Sequence, residues 1–99
     1  MESRAARIEA LLRQQLAPTL IRVLDDSQLH AGHAGARPDG ETHYSVLLVS
    51  DGFHGQTRIA RSRAVHALLG PEFQAGLHAL ALTLRTPEEH ARISGGLTG

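Results

Sequence analysis

Between residues 42 and 84, two apolar runs of strand length flank one helical pattern, and that order dictates what the chain can build. Thr42 to Ser50 carries Tyr44, Val46 and Leu48 on one parity and Ser45, Leu47 and Val49 on the other. This reads as a strand buried on at least one face. Leu77 to Leu84 is apolar nearly throughout, with His78 at its start. A run of that kind suits a central strand. Between the two, Ile59, Val65, Leu68 and Leu69 predict a helix over about 60–69, ended by Gly70-Pro71. A short helical turn from Glu72 to Ala75 then leads to Gly76. Two strands joined through a helix lie parallel with a right-handed crossover.

The rest of the chain completes the pattern. Ile8, Leu11, Leu12 and Leu16 give residues 3–16 one apolar helical face, with Ser3 as N-cap and Pro18 as the stop. Leu20 to Leu24 is a short strand. Residues 25–42 form a long Asp-, Ser- and Gly-bearing loop, and Pro38-Asp39-Gly40 turns the chain back toward a hairpin partner. Thr86, Pro87 and Glu89 spell a capping box for a last helix that Gly95-Gly96 ends. The expected fold is an α+β two-layer sandwich of order α-β-β-α-β-α, a small mixed three-stranded sheet with helices on one face. It forms one domain over residues 1–94, with 95–99 as a frayed tail.

Composition removes several kinds of chemistry. Ten Arg balance ten Asp plus Glu, so the net charge of zero argues against a strongly basic polyelectrolyte binder. With no Cys, the chain has neither a thiol nucleophile nor a thiolate metal site of its own. With no Lys, Schiff-base chemistry is excluded. One Tyr, two Phe and no Trp leave few platforms for stacking nucleotide bases. The N-terminus has no apolar signal region and no segment is long enough to span a bilayer, so the expected location is the cytoplasm.

Seven His remain as the supply of ligand or acid–base chemistry. His30 and His33 lie three apart in a loop that Gly32 and Gly35 allow to bend, and His43 follows at a strand start. Neutral imidazoles so placed can share a zinc, copper or iron ion, or they can simply be polar loop residues. His78 stands beside apolar neighbours at a strand end. It is either an outward-pointing ligand or a hydrogen-bonded core histidine. His54, His66 and His90 read as surface residues. Arg58, Arg61 and Arg63 cluster at the start of the middle helix, where they can contact phosphates or pair with Glu72 or Asp51.

Several stretches resemble the BolA family. They are Asp25-Asp26-Ser27 followed by His30 and Gly32-His33, then Gly40-Glu41-Thr42-His43-Tyr44, Val49-Ser50 with Phe53-x-Gly55, Arg61-Ser62-Arg63-Ala64-Val65-His66, and Gly76-Leu77-His78-Ala79-Leu80-Ala81-Leu82 closed by Thr86-Pro87. The resemblance covers about residues 5–92. It implies a fold similar to class II KH domains and partnership with a monothiol glutaredoxin. In such a heterodimer a [2Fe–2S] cluster bridges the proteins, with cysteine thiolate and glutathione on the glutaredoxin side. The resemblance also implies that His78 is one ligand on this side and that the other lies in the loop. His30 is the first choice, with His33 as alternative and His43 third. One departure stands out: where the family commonly has Arg-His-Arg, this chain has Arg61-Ser62-Arg63.

The expected function is thus a non-enzymatic adaptor, a monomer when isolated, serving iron–sulfur assembly, trafficking or iron regulation. The alternative is a DNA-binding transcription regulator that uses the KH-like surface with Arg58, Arg61 and Arg63. A third reading is a histidine-loop zinc or copper binder without a partner. Zero net charge and scarce aromatic residues weaken the nucleic-acid reading.

Overall fold

The computed structural model describes residues 3–26 and 43–98, with side chains as far as Ile93. The elements are α1 (Arg4–Leu16), β1 (Leu20–Asp25), β2 (His43–Val49), α2 (Arg58–Leu68), α3 (Gly70–Gln74), β3 (Ala79–Arg85) and α4 (Pro87–Thr98). A single 3-10 turn, Asp51–Phe53, separates β2 from α2. The 38–40 turn falls outside the described residues.

β2 lies in the middle of the sheet, antiparallel to β1 and parallel to β3. The expectation that the Leu77–Leu84 run is the central strand is therefore corrected: β3 is an edge. Its run reads apolar because Ala79 and Ala81 are small, while Ala81 and Thr83 are exposed and Leu80, Leu82 and Leu84 are only half-buried. The central position belongs to β2, where Tyr44, Val46, Leu48 and Val49 are all buried. The pairing His43↔Ala79 through Val49↔Arg85 is the parallel crossover that the strand–helix–strand order dictates.

One face of the sheet carries the core. Ile21, Tyr44, Val46 and Leu48 pack against Ile8 and Leu12 of α1 and Val65 of α2, and Leu69 and Leu77 close the bottom. Phe53, 1% exposed, plugs the end of the sheet from the 3-10 turn. Ser50 holds that turn in place. Its hydroxyl donates to the Leu16 carbonyl (2.6 Å) and accepts from the Gly52 N–H (3.1 Å), tying the end of α1 to the exit of β2.

The helix ends follow capping chemistry. Ser3 accepts from the Ala6 N–H and Thr57 from the Ala60 N–H. The Thr57 cap starts α2 at Arg58, ahead of the sequence expectation. Gly70-Pro71 ends α2 as expected, and Pro71 sits in the first turn of the short α3. In the capping box of α4, Glu89 accepts from the Thr86 N–H (2.8 Å) while Thr86 accepts from the Glu89 N–H (3.2 Å). α4 then runs through Gly95 and Gly96 to Thr98, which corrects the expected stop. Glycine in a helix costs about 1 kcal/mol in propensity but poses no steric bar.

Glu89 also receives Arg61, whose Nη1 donates to Oε1 at 2.7 Å and Nη2 to Oε2 at 3.2 Å. The hydrogen bonds from Arg61 and from the Thr86 backbone lower the Glu89 pKa to about 2. The folded-state pKa lies below the ordinary value of 4.5, so Glu89 contributes stability above that value and loses it as pH falls toward about 2. Glu89→Gln should therefore lower the urea midpoint at neutral pH. Its disadvantage should shrink on acidification to about pH 3. Equal gaps between variant and wild type at both pH values would contradict this.

Candidate functional site

His78 is mounted by the turn that joins α3 to β3. Leu77 is buried at 4% exposure and its N–H donates to the Glu72 carbonyl at 2.9 Å. Gly76 takes φ +123°, and a Cβ there would meet Arg4 Nη2 at 3.4 Å. Arg4 reaches across from the start of α1. Its Nη2 donates to the Ala75 carbonyl (2.9 Å) and its Nε to Glu72 Oε1 (3.0 Å). Arg7 Nε donates to the other carboxylate oxygen at 2.9 Å. These bonds, Arg7's foremost, outweigh desolvation and hold the Glu72 carboxyl below its ordinary pKa. The turn is thus pinned from α1 at Glu72 and at Ala75, three residues before His78.

His78 itself is exposed, which excludes a core histidine. The parallel register sets His43 opposite Ala79, and the His43 and His78 rings lie 5.3 Å apart between centroids, tilted by 50°. His43 is 8% exposed, so it backs its neighbour from within the fold. The same sheet end receives the end of β1: Asp25 pairs with Tyr44, and the Asp26 N–H donates to the His43 carbonyl at 2.7 Å. The Ser45 hydroxyl hydrogen-bonds the Asp26 carboxylate. His30 and His33 lie outside the described residues, yet the chain leaves at Asp26 and returns at His43 on this end. His43, third in the sequence ranking, is the imidazole placed against His78. The parallel pairing of β2 with β3 was the signal that could have promoted it.

The other expected positions divide. His66 is exposed and stacks on Phe73, with centroids 5.4 Å apart. His90 is half-buried rather than superficial, with Nδ1 3.3 Å from Arg85 Nη1. His54 is exposed, with Nε2 2.8 Å from Glu88 and 3.6 Å from Asp51, a convergence of residues remote in sequence. Arg58 and Arg63 are exposed, whereas Arg61 is 7% exposed and turned inward. Its partner is Glu89, not Glu72 or Asp51. Arg58, Arg85 and Arg92 rim a groove floored by Leu82 and Leu84, between α2, β3 and α4.

A family model described as BolA-like protein matches residues 12–89. The chain belongs to the BolA-like family. Among its relatives is Protein BOLA1, chloroplastic, of Arabidopsis thaliana, 44% identical over 90% of this chain and 57% of that protein. SufE-like protein 1, chloroplastic/mitochondrial, from the same plant is 43% identical over 88% of this chain and 24% of its own length. This BolA-like chain thus spans little more than half of the first relative and a quarter of the second. The solved structure of the BolA domain of SufE1 from Arabidopsis thaliana aligns at TM-score 0.81 with 42% identity, over 90% of this chain and 98% of the domain. The small mixed α+β architecture is that of known BolA structures. Among the described residues, no helix is long and apolar enough to cross a membrane.

The clamp before His78 makes a direct prediction. Arg4→Ala leaves the Ala75 carbonyl without its guanidinium donor, and losing a hydrogen bond of this kind costs about 1–3 kcal/mol. The urea midpoint should fall accordingly, and the His78 ring resonances should broaden or shift although Arg4 lies far away in sequence. Unchanged His78 resonances would separate the clamp from the histidine.

Proposed function

We propose that this BolA-like chain is a non-catalytic adaptor that docks on a monothiol glutaredoxin and shares a [2Fe–2S] cluster at the sheet end marked by His78. The observation that carries the reading is the exposed His78, held on a pinned turn at the end where residues 27–42 leave and return. The donor set fits such a group in one respect that matters. The chain has imidazoles there and no Cys anywhere, so thiolates must come from a partner. His78 is the ligand able to reach outward. His30, with His33 as its substitute, is the second, and His43 is the alternative at the strand start. Bound there, the cluster supplies one-electron and iron–sulfur transfer chemistry, with a potential that imidazole ligation raises.

The chain's own part is positional. Leu77, Gly76 and the Arg4–Glu72–Arg7 group hold the His78 backbone before any partner arrives. The His43 ring limits the directions His78 can take. This lowers the ordering cost of docking, which is roughly 1–2 kcal/mol for each residue that must be fixed.

Mixing the protein with a cluster-loaded monothiol glutaredoxin should give a coloured heterodimer with altered visible circular dichroism. His78→Ala should abolish the shared cluster while the far-UV spectrum is retained. His30→Ala should leave a short-lived cluster, because His33 is three residues away, and the double variant should leave little. His43→Ala reads the alternative: a loss as complete as that of His78→Ala makes His43 the second ligand. A wild-type cluster lifetime in His78→Ala would overturn the site.

A second reading, DNA binding by a transcription regulator, is favoured by the arginine-rimmed groove. With Arg61 engaged internally, the cations left at this groove are the exposed Arg58 and Arg92 and the half-buried Arg85. Three phosphate contacts give a slope of log K against log salt of about −3. Any DNA binding should therefore be weak and no steeper. Tight, sequence-selective binding at physiological salt would replace the adaptor with the regulator.

A further inference from the structure

At the opposite end of the sheet, three side chains from two elements point at one spot. Asp51 opens the 3-10 turn after β2, His54 closes it, and Glu88 lies in the first turn of α4. The ligand atoms they offer all lie within 4.8 Å of one another. His54 Nε2 is 2.8 Å from Glu88 Oε2 and 3.6 Å from Asp51 Oδ1. Around a single ion with ligand bonds of roughly 2.1 Å, neighbouring donor atoms stand about 3–3.5 Å apart. The gaps around Nε2 bracket that spacing, so small side-chain rotations bring all three atoms onto one ion.

The mounting is firmer than the exposure of the three residues implies. Phe53, buried between Asp51 and His54 in sequence, nails the turn to the core. Ser50 accepts from the Gly52 N–H, and the His54 N–H donates to the Asp51 carbonyl at 3.2 Å. The capping box fixes the start of α4, and Arg61 holds Glu89, the residue after Glu88. The Ser50 N–H donates to the Arg85 carbonyl at 3.0 Å, which sets the two ligand-bearing segments side by side. The backbones under the ligands are thus already placed.

We propose that Asp51, His54 and Glu88 form a metal site held by this chain alone, for a divalent first-row ion of the zinc class. One imidazole with two carboxylates is a borderline donor set. It suits Zn2+, Co2+ or Ni2+ over Cu(I), which prefers sulfur, and the imidazole discriminates against Mg2+ and Ca2+, which prefer oxygen. Three protein ligands leave open positions for water or for a donor from another molecule. The site is separate from the one built around His78: the seven residues of β2 lie between them, roughly 20 Å of strand. It does not depend on a glutaredoxin or on a cluster.

The test uses the full chain and Zn2+ alone as probe. A ring 15N correlation spectrum follows each histidine separately, so zinc taken up by His30, His33, His43 or His78 is told apart from zinc at His54. The expected result is a saturable change of the His54 ring signals at about one equivalent, and a Tm that rises with zinc, since an ion binding the folded state stabilises it by linkage. Asp51→Asn and Glu88→Gln keep the imidazole while removing one charged ligand each. Both should abolish the His54 change at the same zinc concentration. His54→Ala should lose the part of the Tm rise that His78→Ala keeps. The proposal is overturned if the His54 signals stay fixed while other histidines shift. It is equally overturned if the carboxamide variants respond like wild type, because His54 then binds by itself. Loss of the cluster adaptor role through a negative glutaredoxin experiment would leave this result untouched.

Discussion

The guanidinium of Arg61 is the contact on which the arrangement of α2, β3 and α4 depends. It is 7% exposed, and a charge so placed is costly unless its hydrogen bonds are met. Here Nε donates to the Gln56 carbonyl (3.1 Å), Nη1 to the Leu84 carbonyl (3.2 Å), and both terminal nitrogens to Glu89. Its carbon lies 5.6 Å from the centroid of the Phe53 ring, within cation–π range. One side chain therefore ties the loop before α2, the edge strand, the plug of the core and the first turn of α4. Glu89 extends the connection, because the carboxylate that receives Arg61 also caps Thr86. Among the described residues no buried side-chain nitrogen or oxygen lacks a partner, as such a network requires.

A second arginine does the equivalent work at the far end. Arg4 joins α1 to the α3–β3 turn through Glu72 and the Ala75 carbonyl. Parallel pairing of β2 with β3 is what keeps the two ends distinct. Both strands begin at one end, so His43 and His78 meet there. Both finish at the other, so the segments carrying His54 and Glu88 meet there. Antiparallel pairing would have put a strand start against a strand finish and mixed the two sets. Each arginine network braces the segment that carries one set, which gives a small domain two firmly mounted patches of different chemistry: imidazoles at one end, an imidazole with carboxylates at the other.

Much of this was legible along the chain because it is local. The period of Ile8, Leu11 and Leu12 in α1, the alternation of Tyr44, Val46 and Leu48 in β2, and the Thr86–Glu89 capping box are set by residues within a few positions of each other. Phe53-x-Gly55 also has a local reason: Phe53 is swallowed by the core and Gly55 takes φ +77°. The strand–helix–strand order was enough for the parallel crossover. His78 stood out through its place at the head of an apolar run.

What tertiary structure decided is everything that depends on who meets whom. An apolar run does not say which of its faces is covered, so the edge position of β3 came from sheet order, not from its own residues. Arg58, Arg61 and Arg63 look alike in the chain, yet helical phase turns Arg61 under α4 and leaves the other two outside. Strand register set the His43 ring 5.3 Å from that of His78, a proximity that the position of His43 in the chain does not announce. His54 and Glu88 are 34 residues apart and become neighbours because Val49 pairs with Arg85 where the parallel strands finish. The elements, their order and the kinds of donor available were readable along the chain, because propensity, capping and composition act over a few residues. Packing decided which donors converge, because convergence is a property of distance in space.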